Sequence, residues 1–397
     1  MTGPSPQRLQ RFAFRSYELA SYFRRPGDGR RRPRIPAQDL LWSLVVGQIL
    51  REGSFHGVEA LVRSSARTQL GVGHRFGDDA LAYFTERLDP ETTRQALTAL
   101  LHRARRKKAF QSRPFLGLAL DGTGVARCTR ARCPLCHPVH NAEHQVTGYG
   151  HHFSMVSVVG AGLSLPFDVE PYAAGGSEYA ASQALCQRAV QHLGRRFADY
   201  AVVDGLYAKA PFLHMVGGLG LHVVVRLKAN LPELLAQAQA RFTNRPPSMR
   251  IEEGADRIEL WDAEDFDPWE TLRWPTVRVL RYRQYKPSGK IVEAYWLTDY
   301  PLQQVGSRSL FRMAKSRWEI ENQGFNEGKT YHALEHITHH HANSLLLGWL
   351  LTLLALSLER LYRMRYLHRG THRVLAPIDL LRKLRLALAL PRLRDTS

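Results

Sequence analysis

The feature that most constrains this chain is a change of texture near residue 115. Before it, the apolar stretches DLLWSLVVGQIL, GVEALVRSSA, ALAYFTERL and ETTRQALTALLHRARRKKAF keep a helical period, the last opened by an N-cap-like Asp89-Pro90. From PFLGLALDGTG onward, short apolar runs stopped by Asp-Gly or Gly turns alternate with helix-like stretches. HHFSMVSVVG, LSLPFDVEPY, ADYAVVDGLY and LHVVVRLKAN read as strands; SEYAASQALCQRAVQHLGRRF and APFLHMVGGLG read as helices. Such a chain folds as a helical unit followed by a mixed sheet with helices against it, an α/β architecture.

Strand texture intensifies again in MRIEEG, RIELWD, TVRVLRYRQY and IVEAYWLTDY, separated by Pro and Gly turns, and helix returns in SRSLFRMAKSRWEIENQGFNEGK. The expected organisation is a basic arm at 1–36, a helical DNA-binding domain at 37–110, a mixed α/β domain at 111–230 and 301–365, a β-rich insertion at 231–300, and a basic C-terminal tail at 366–397. Leu345 to Leu358 is apolar but shorter than the roughly 20 residues a membrane span needs, and it runs into Glu359-Arg360, so it reads as a buried helix. No signal-peptide pattern opens the chain, no repeat of solenoid type is present, and no membrane partner is expected.

Charge narrows the partner. There are 55 Lys plus Arg against 36 Asp plus Glu, a formal net charge of +19. Arg dominates, and its planar fork suits phosphate, so a nucleic acid is the natural partner. Arg8, Arg11, Arg15, Arg24, Arg25, Arg30, Arg31, Arg32 and Arg34 stud the N-terminal arm. Arg103, Arg105, Arg106, Lys107 and Lys108 close the last N-terminal helix as a DNA-binding patch. Four cysteines in 397 residues do not make a disulfide framework and point to a reducing, cytoplasmic compartment.

Within that basic chain, three acids stand out. Asp121 and Asp204 each follow an apolar strand and precede Gly, so both emerge where the backbone turns. Glu321 lies on a helix that carries Arg317 one turn earlier on the same face. Three converging carboxylates hold a pair of hard divalent ions, Mg²⁺ or Mn²⁺, for phosphoryl transfer. Taken singly, each Asp-Gly is an ordinary turn and Glu321 an ordinary polar face.

LALDGTG, AVVDGLYAKAPF and RWEIENQGFNEGK, in that order, resemble the catalytic segments of DDE transposases of bacterial insertion sequences. The resemblance implies an RNase H-like mixed sheet flanked by helices, with Asp121, Asp204 and Glu321 as metal ligands and a β-rich insertion before the Glu. One branch of that family carries Tyr, Arg, Glu and Lys around the third acid. Here Arg317 and Glu321 keep the spacing, Ala314 occupies the Tyr position with Phe311 the nearest aromatic, and Lys329 stands one residue late. The resemblance thus adds Arg317 and Lys329 to the catalytic set. Glu319 and Glu327 compete for the third role, and Glu321 is preferred because it shares the face of Arg317. The implied activity is metal-dependent cleavage at transposon ends and strand transfer into target DNA, by a homodimer on double-stranded DNA at the bacterial nucleoid. A non-catalytic DNA-binding regulator and a nuclease that cuts without joining remain open.

Cys128, Cys133 and Cys136 in CTRARCPLCHPVH, with His137 and His140 behind them, form a candidate zinc knuckle. Cys128, Cys133, Cys136 and His140 are the expected ligands of a structural Zn²⁺, a reduced cysteine loop being the alternative. Cys186, in an apolar helix, reads as core. His336, His339, His340 and His341 point in different directions if helical and are not expected to chelate together. Trp318, Phe325, Trp349 and Tyr362 recur at helix-like intervals and read as core.

Overall fold

The computed structural model describes residues 4–111, 114–160, 162–369 and 373–389. Among the described residues seven α-helices come first, with a π-helical turn Phe12–Ser16 after the first: α1 (Pro6–Arg11), α2 (Leu19–Arg24), α3 (Ala37–Leu50), α4 (Phe55–Arg63), α5 (Ala66–Leu70), α6 (Asp78–Arg87) and α7 (Pro90–Arg106). The start of α7 is capped as its sequence suggests, the Asp89 side chain accepting from the Glu91 N–H with Pro90 in the first turn; at α4, Ser54 accepts from the Gly57 N–H.

Residues 4–36, read from their arginines as a basic arm, pack against the core through their apolar residues. Leu9, Phe12, Ala13, Tyr17, Leu19 and Phe23 are all buried in the main core, whereas Arg8, Arg11, Arg15, Arg24, Arg25, Arg31, Arg32 and Arg34 are exposed. The apolar positions sit between the arginines on the inward side of short helices. Burying a Phe there contributes about 2 kcal/mol, enough to hold the segment down despite its charge.

The rest is built on one large mixed sheet. Its first strands are β1 (Gly117–Cys128), β2 (His137–His140), β3 (Val146–Val159) and β4 (Leu165–Tyr172). There follow α8 (Glu178–Leu193), β5 (Tyr200–Val203), α9 (Ala210–Gly218) and β6 (His222–Leu227). The long β1 runs antiparallel to β3, which in turn pairs antiparallel with β2 and β4. On its other side β1 pairs in parallel with β5, and β5 in parallel with β6.

The stretch 231–300 opens with a helix, α10 (Pro232–Phe242), and then supplies β7 (Met249–Glu253), β8 (Asp256–Phe266), β9 (Val277–Tyr285) and β10 (Ile291–Thr298). These strands do not stand apart as a separate β unit. β10 pairs antiparallel with β6, Thr298 opposite Val224, and β9, β8 and β7 continue the same sheet outward. Alternating side chains predict each strand, but its distant partner is set by tertiary packing.

Helices α11 (Ser307–Glu319) and α12 (Glu327–Tyr331) flank a π-helical turn, Ile320–Asn326. At Gly324 a Cβ would lie 2.6 Å from the Met155 Cε, so a larger residue there would push the tip of Met155 aside where this turn packs on β3. The chain closes with α13 (Ala342–Tyr366), a two-residue hairpin β11 (His368–Arg369) with β12 (Arg373–Val374), and α14 (Pro377–Ala389). By length and hydropathy α13 is apolar enough to cross a membrane, yet 89% of its apolar window is buried in this fold, where it packs against α3, α6, α7 and β4. Of the expected C-terminal tail, 370–372 and 390–397 lie outside the described residues, and α14 packs Leu380, Leu381 and Leu384 into the core.

Candidate functional site

Asp121 lies inside β1 rather than at its end, because the strand runs on to Cys128. The Gly122 after it serves close approach instead of a turn: a Cβ there would sit 2.2 Å from the Glu178 carboxylate. Asp204 stands immediately after β5 and opens the short 3-10 turn Gly205–Tyr207, at the strand end that its sequence pattern predicts. Because β1 and β5 are parallel neighbours, their aspartates project toward one region of the sheet.

Helix α11 and its π turn bring the third acid and the arginine across. Arg317 Nη2 donates to Glu321 Oε1 at 2.6 Å, and Arg317 Nη1 donates to Asp121 Oδ2 at 3.3 Å. One guanidinium therefore bridges the sheet acid and the helix acid. Glu321 is the second residue of the π turn, and such widened turns recur at functional sites because they re-aim side chains. Lys228, just past β6, donates to Asp204 Oδ2 at 2.7 Å. Lys329 donates to the Gly124 carbonyl on β1 at 3.0 Å and also pairs with Glu335 at 3.4 Å, so it reaches the strand of Asp121 without touching an acid of the trio.

The competing acids are engaged elsewhere. Glu319 accepts from the Gly160 N–H at 3.0 Å, tying α11 to the turn after β3. Glu327 pairs with Arg360 at 2.6 Å and with Arg363 at 3.6 Å, both on α13. Ala314 is buried, and Phe311 packs edge-on against Tyr282 with ring centres 5.2 Å apart, so neither supplies a hydroxyl at the signature's Tyr position.

Glu178, in the first turn of α8, escapes the sequence pattern. It accepts a hydrogen bond from Tyr207 Oη at 2.8 Å, and Tyr207 is fully buried. A Glu just inside a helix start is ordinary in a sequence, since it suits the helix dipole, so no linear signal marks it. Its one trace is the glycine at 122 that makes room for it.

Electrostatics separate the two aspartates. The Asp121 carboxyl is pushed up to about 7, by burial first and then by the nearby Glu321 and Glu178, with Arg317 pulling the other way. For Asp204, burial that would raise it is outweighed by the Lys228 and Gly205 hydrogen bonds and by the charges of Lys228 and Arg317, and it lies below the usual carboxylate range. Half-buried Arg226 adds further positive charge near Asp204 and Arg317. The region thus holds four carboxylates with a shortage of cation at Asp121. The trio is looser than a closed chelate: among the described residues, the sets of potential ligand atoms all within 4.8 Å of one another are Cys133, Cys136 and His151, and His56, Glu59 and Asp78.

The cysteine loop beyond β1 gathers a different set from the one expected. Cys133 Sγ lies 3.6 Å from Cys136 Sγ and 3.1 Å from His151 Nε2, and Cys136 Sγ lies 3.7 Å from that nitrogen. Cys128 neighbours Cys136. His140 is exposed on β2 and is not part of the cluster; His137 instead faces the Tyr172 carbonyl at 2.8 Å. His151 is hidden in the sequence inside an apolar strand, where it reads as one more alternating position. The histidines at 336, 339, 340 and 341 lie in turns between α12 and α13 rather than on a helix, and His339 stacks on Phe55 with ring centres 6.4 Å apart. Cys186 is fully buried in α8.

Of the expected DNA-binding patch, Arg103 pairs with Glu18, and Arg105 donates to the Arg196 and Phe197 carbonyls at 2.9 and 3.1 Å. Arg106, Lys107 and Lys108 are exposed.

No family model matches the chain, and no curated protein matches it. A cryo-EM structure of the piggyBac transposase synaptic complex with hairpin DNA is similar to it at 14% identity and a TM-score of 0.47, covering 98% of this chain and 83% of that one.

Proposed function

We propose that this chain is a metal-dependent enzyme of DNA phosphoryl transfer, a DDE-type transposase with an RNase H-like core. The observation that carries the reading is the bridge from Arg317 to Asp121 and Glu321, where burial first, and then the neighbouring Glu321 and Glu178, push the Asp121 carboxyl up to about 7. A central strand bearing the first Asp, a parallel neighbour bearing the second and a late helix bearing the Glu is the arrangement that the resemblance to DDE transposases implies. The donor set fits a hard divalent ion, being all carboxylate oxygen with neither thiolate nor imidazole.

Asp121, Asp204 and Glu321 would hold the ions, with Glu178 at the edge of the same cluster. When bound, paired Mg²⁺ or Mn²⁺ ions activate an attacking oxygen and stabilise the leaving one. The remaining work belongs to the chain. Arg317 and Lys228 hold the acids in place and present positive charge where a scissile phosphate docks. Tyr207 orients Glu178 through its hydroxyl. The exposed arginines of residues 4–36 and the Arg106–Lys108 cluster supply the sequence-independent grip on the DNA backbone.

A second reading, a DNA-binding protein without catalysis, draws on one observation: Arg317 and Lys228 already close ion pairs on three of the four acids. Purified protein incubated with Mg²⁺ or Mn²⁺ and plasmid DNA carrying the sequences on either side of its coding region separates the two. The transposase reading expects cleavage and joined products from the wild type, and binding without either from Asp121→Asn, Asp204→Asn and Glu321→Gln. Binding without cleavage by the wild type favours the regulator, and cleavage without joined products favours a nuclease.

A further inference from the structure

We propose that Cys128, Cys133, Cys136 and His151 hold one tetrahedral zinc ion that clamps the loop after β1 onto β3. A tetrahedral zinc with bonds of about 2.3 Å to sulfur and about 2.0 Å to nitrogen sets its ligands roughly 3.8 Å apart for two sulfurs and roughly 3.6 Å for sulfur and nitrogen. The separations here are 3.6 Å between the sulfurs of Cys133 and Cys136, and 3.1 and 3.7 Å from those sulfurs to His151 Nε2. Three ligand atoms are thus already near the corners of one tetrahedron.

The loop has the hydrogen bonding of a metal knuckle. The Arg132 N–H points at Cys136 Sγ at 3.4 Å, and the Cys136 N–H closes a turn onto the Cys133 carbonyl at 3.2 Å. All four cysteines are free thiols, and the 3.6 Å separation of Cys133 and Cys136 is far from a disulfide bond. Cys128, the last residue of β1, is the fourth ligand: its Sγ, which faces the Arg130 carbonyl at 3.2 Å, lies outside the close trio of Cys133, Cys136 and His151 and would turn in to complete the tetrahedron. His151 is fully buried, and its Nε2 is aimed at the two thiols, while its Nδ1 has no hydrogen-bond partner among the described residues.

The placement gives the ion a task. His151 pairs with Val125 across the β1–β3 ladder, at a bulge where Ala126 adopts a left-handed φ of 51°. The His151 ring also lies 6.2 Å from Trp349 of the buried helix α13. Zinc at this point fixes the far half of β1, beyond Asp121, to β3 and its covering helix.

The full chain, purified under reducing conditions and supplied with Zn²⁺ alone, should carry about one zinc by elemental analysis. Replacement with Co²⁺ should give the intense visible bands of a tetrahedral site and the charge-transfer band of thiolate ligands, a readout that needs no variant to fold. Cys133→Ser, Cys136→Ser and His151→Asn should each lower zinc retention against a chelator at least tenfold, whereas His140→Ala should retain zinc like the wild type. Octahedral cobalt bands, a reduced protein that takes up no zinc, a Cys133–Cys136 disulfide found without metal, or retention unchanged in His151→Asn overturns the proposal.

Discussion

Two arginine–aspartate pairs in this molecule look alike on paper and differ in kind. Arg278 of β9 and Asp262 of β8 are each 2% exposed and joined at 2.8 and 2.6 Å, and Arg278 spends its remaining donor on the Tyr300 and Val305 carbonyls. One acid meets one base with the donors used up, which is how a buried ion pair is made tolerable. Arg317 instead stretches 3.3 Å to Asp121, shares itself with Glu321, and leaves its Nε buried without a partner. Glu178 adds a further acid with no added base. A balanced pair holds the fold together; an acid-rich, incompletely satisfied one is the kind of place proposed above to take a cation.

The contrast can be broken most sharply through activity. Asp121→Asn should lower metal-dependent DNA cleavage on the order of a thousandfold, since losing a ligand of the reacting metals costs several kcal/mol of transition-state stabilisation. Asp262→Asn should leave the cleavage rate per folded molecule unchanged. A similar loss in both would mean that Asp121 acts only through folding.

Next in size is stability. Arg278→Ala strands a buried carboxylate and should cost about 3–5 kcal/mol in denaturant unfolding. Arg317→Ala should cost less, about 1–2 kcal/mol, because Asp121 can take up a proton and Glu321 faces solvent. Equal costs would erase the distinction drawn between the two pairs.

A subtler effect follows from pH. The Asp121 carboxyl is raised from 3.8 to about 7 in the folded chain, so the folded state binds the extra proton. Its contribution to stability is therefore most favourable below the unfolded value and is lost as pH rises through 7. In the presence of a chelator, Asp121→Asn should melt higher than the wild type above pH 7, with the gain shrinking as pH falls toward 4. A gain that is constant with pH would show that burial of the charge is not its cause. Smallest of all, Ala at Arg106, Lys107 and Lys108 should weaken DNA binding uniformly across sequences. Its salt dependence should fall by about one counterion for each phosphate no longer neutralised, and a loss confined to one DNA sequence would point to base recognition instead.

Much of this is legible in the chain. The strand carrying Asp204 and the helix that sets Arg317 and Glu321 one turn apart on one face follow from local pattern, because period and facing are local properties. What escapes is set by partners far away in sequence. Asp-Gly at 121–122 looks like a turn, yet β1 continues because β3 pairs along its whole length and Gly122 makes room for Glu178. The strands after residue 249 carry the right alternation but no mark that β10 would join β6. Arginine density makes residues 4–36 look like a loose arm, masking Leu9, Phe12 and Phe23. Nearness in sequence to the cysteines points to His140, whereas His151 reaches them across the hairpin.

We propose that the acids around Arg317 form a divalent-cation site rather than a closed salt-bridge cluster. Mn²⁺ binding to the DNA-free protein, followed by electron paramagnetic resonance at about pH 8, above the raised Asp121 value, tests it directly. The account predicts bound Mn²⁺ in the wild type and in Asp262→Asn, with binding lost in Asp121→Asn and Asp204→Asn. Equal binding by all four proteins, or none by the wild type, would contradict it.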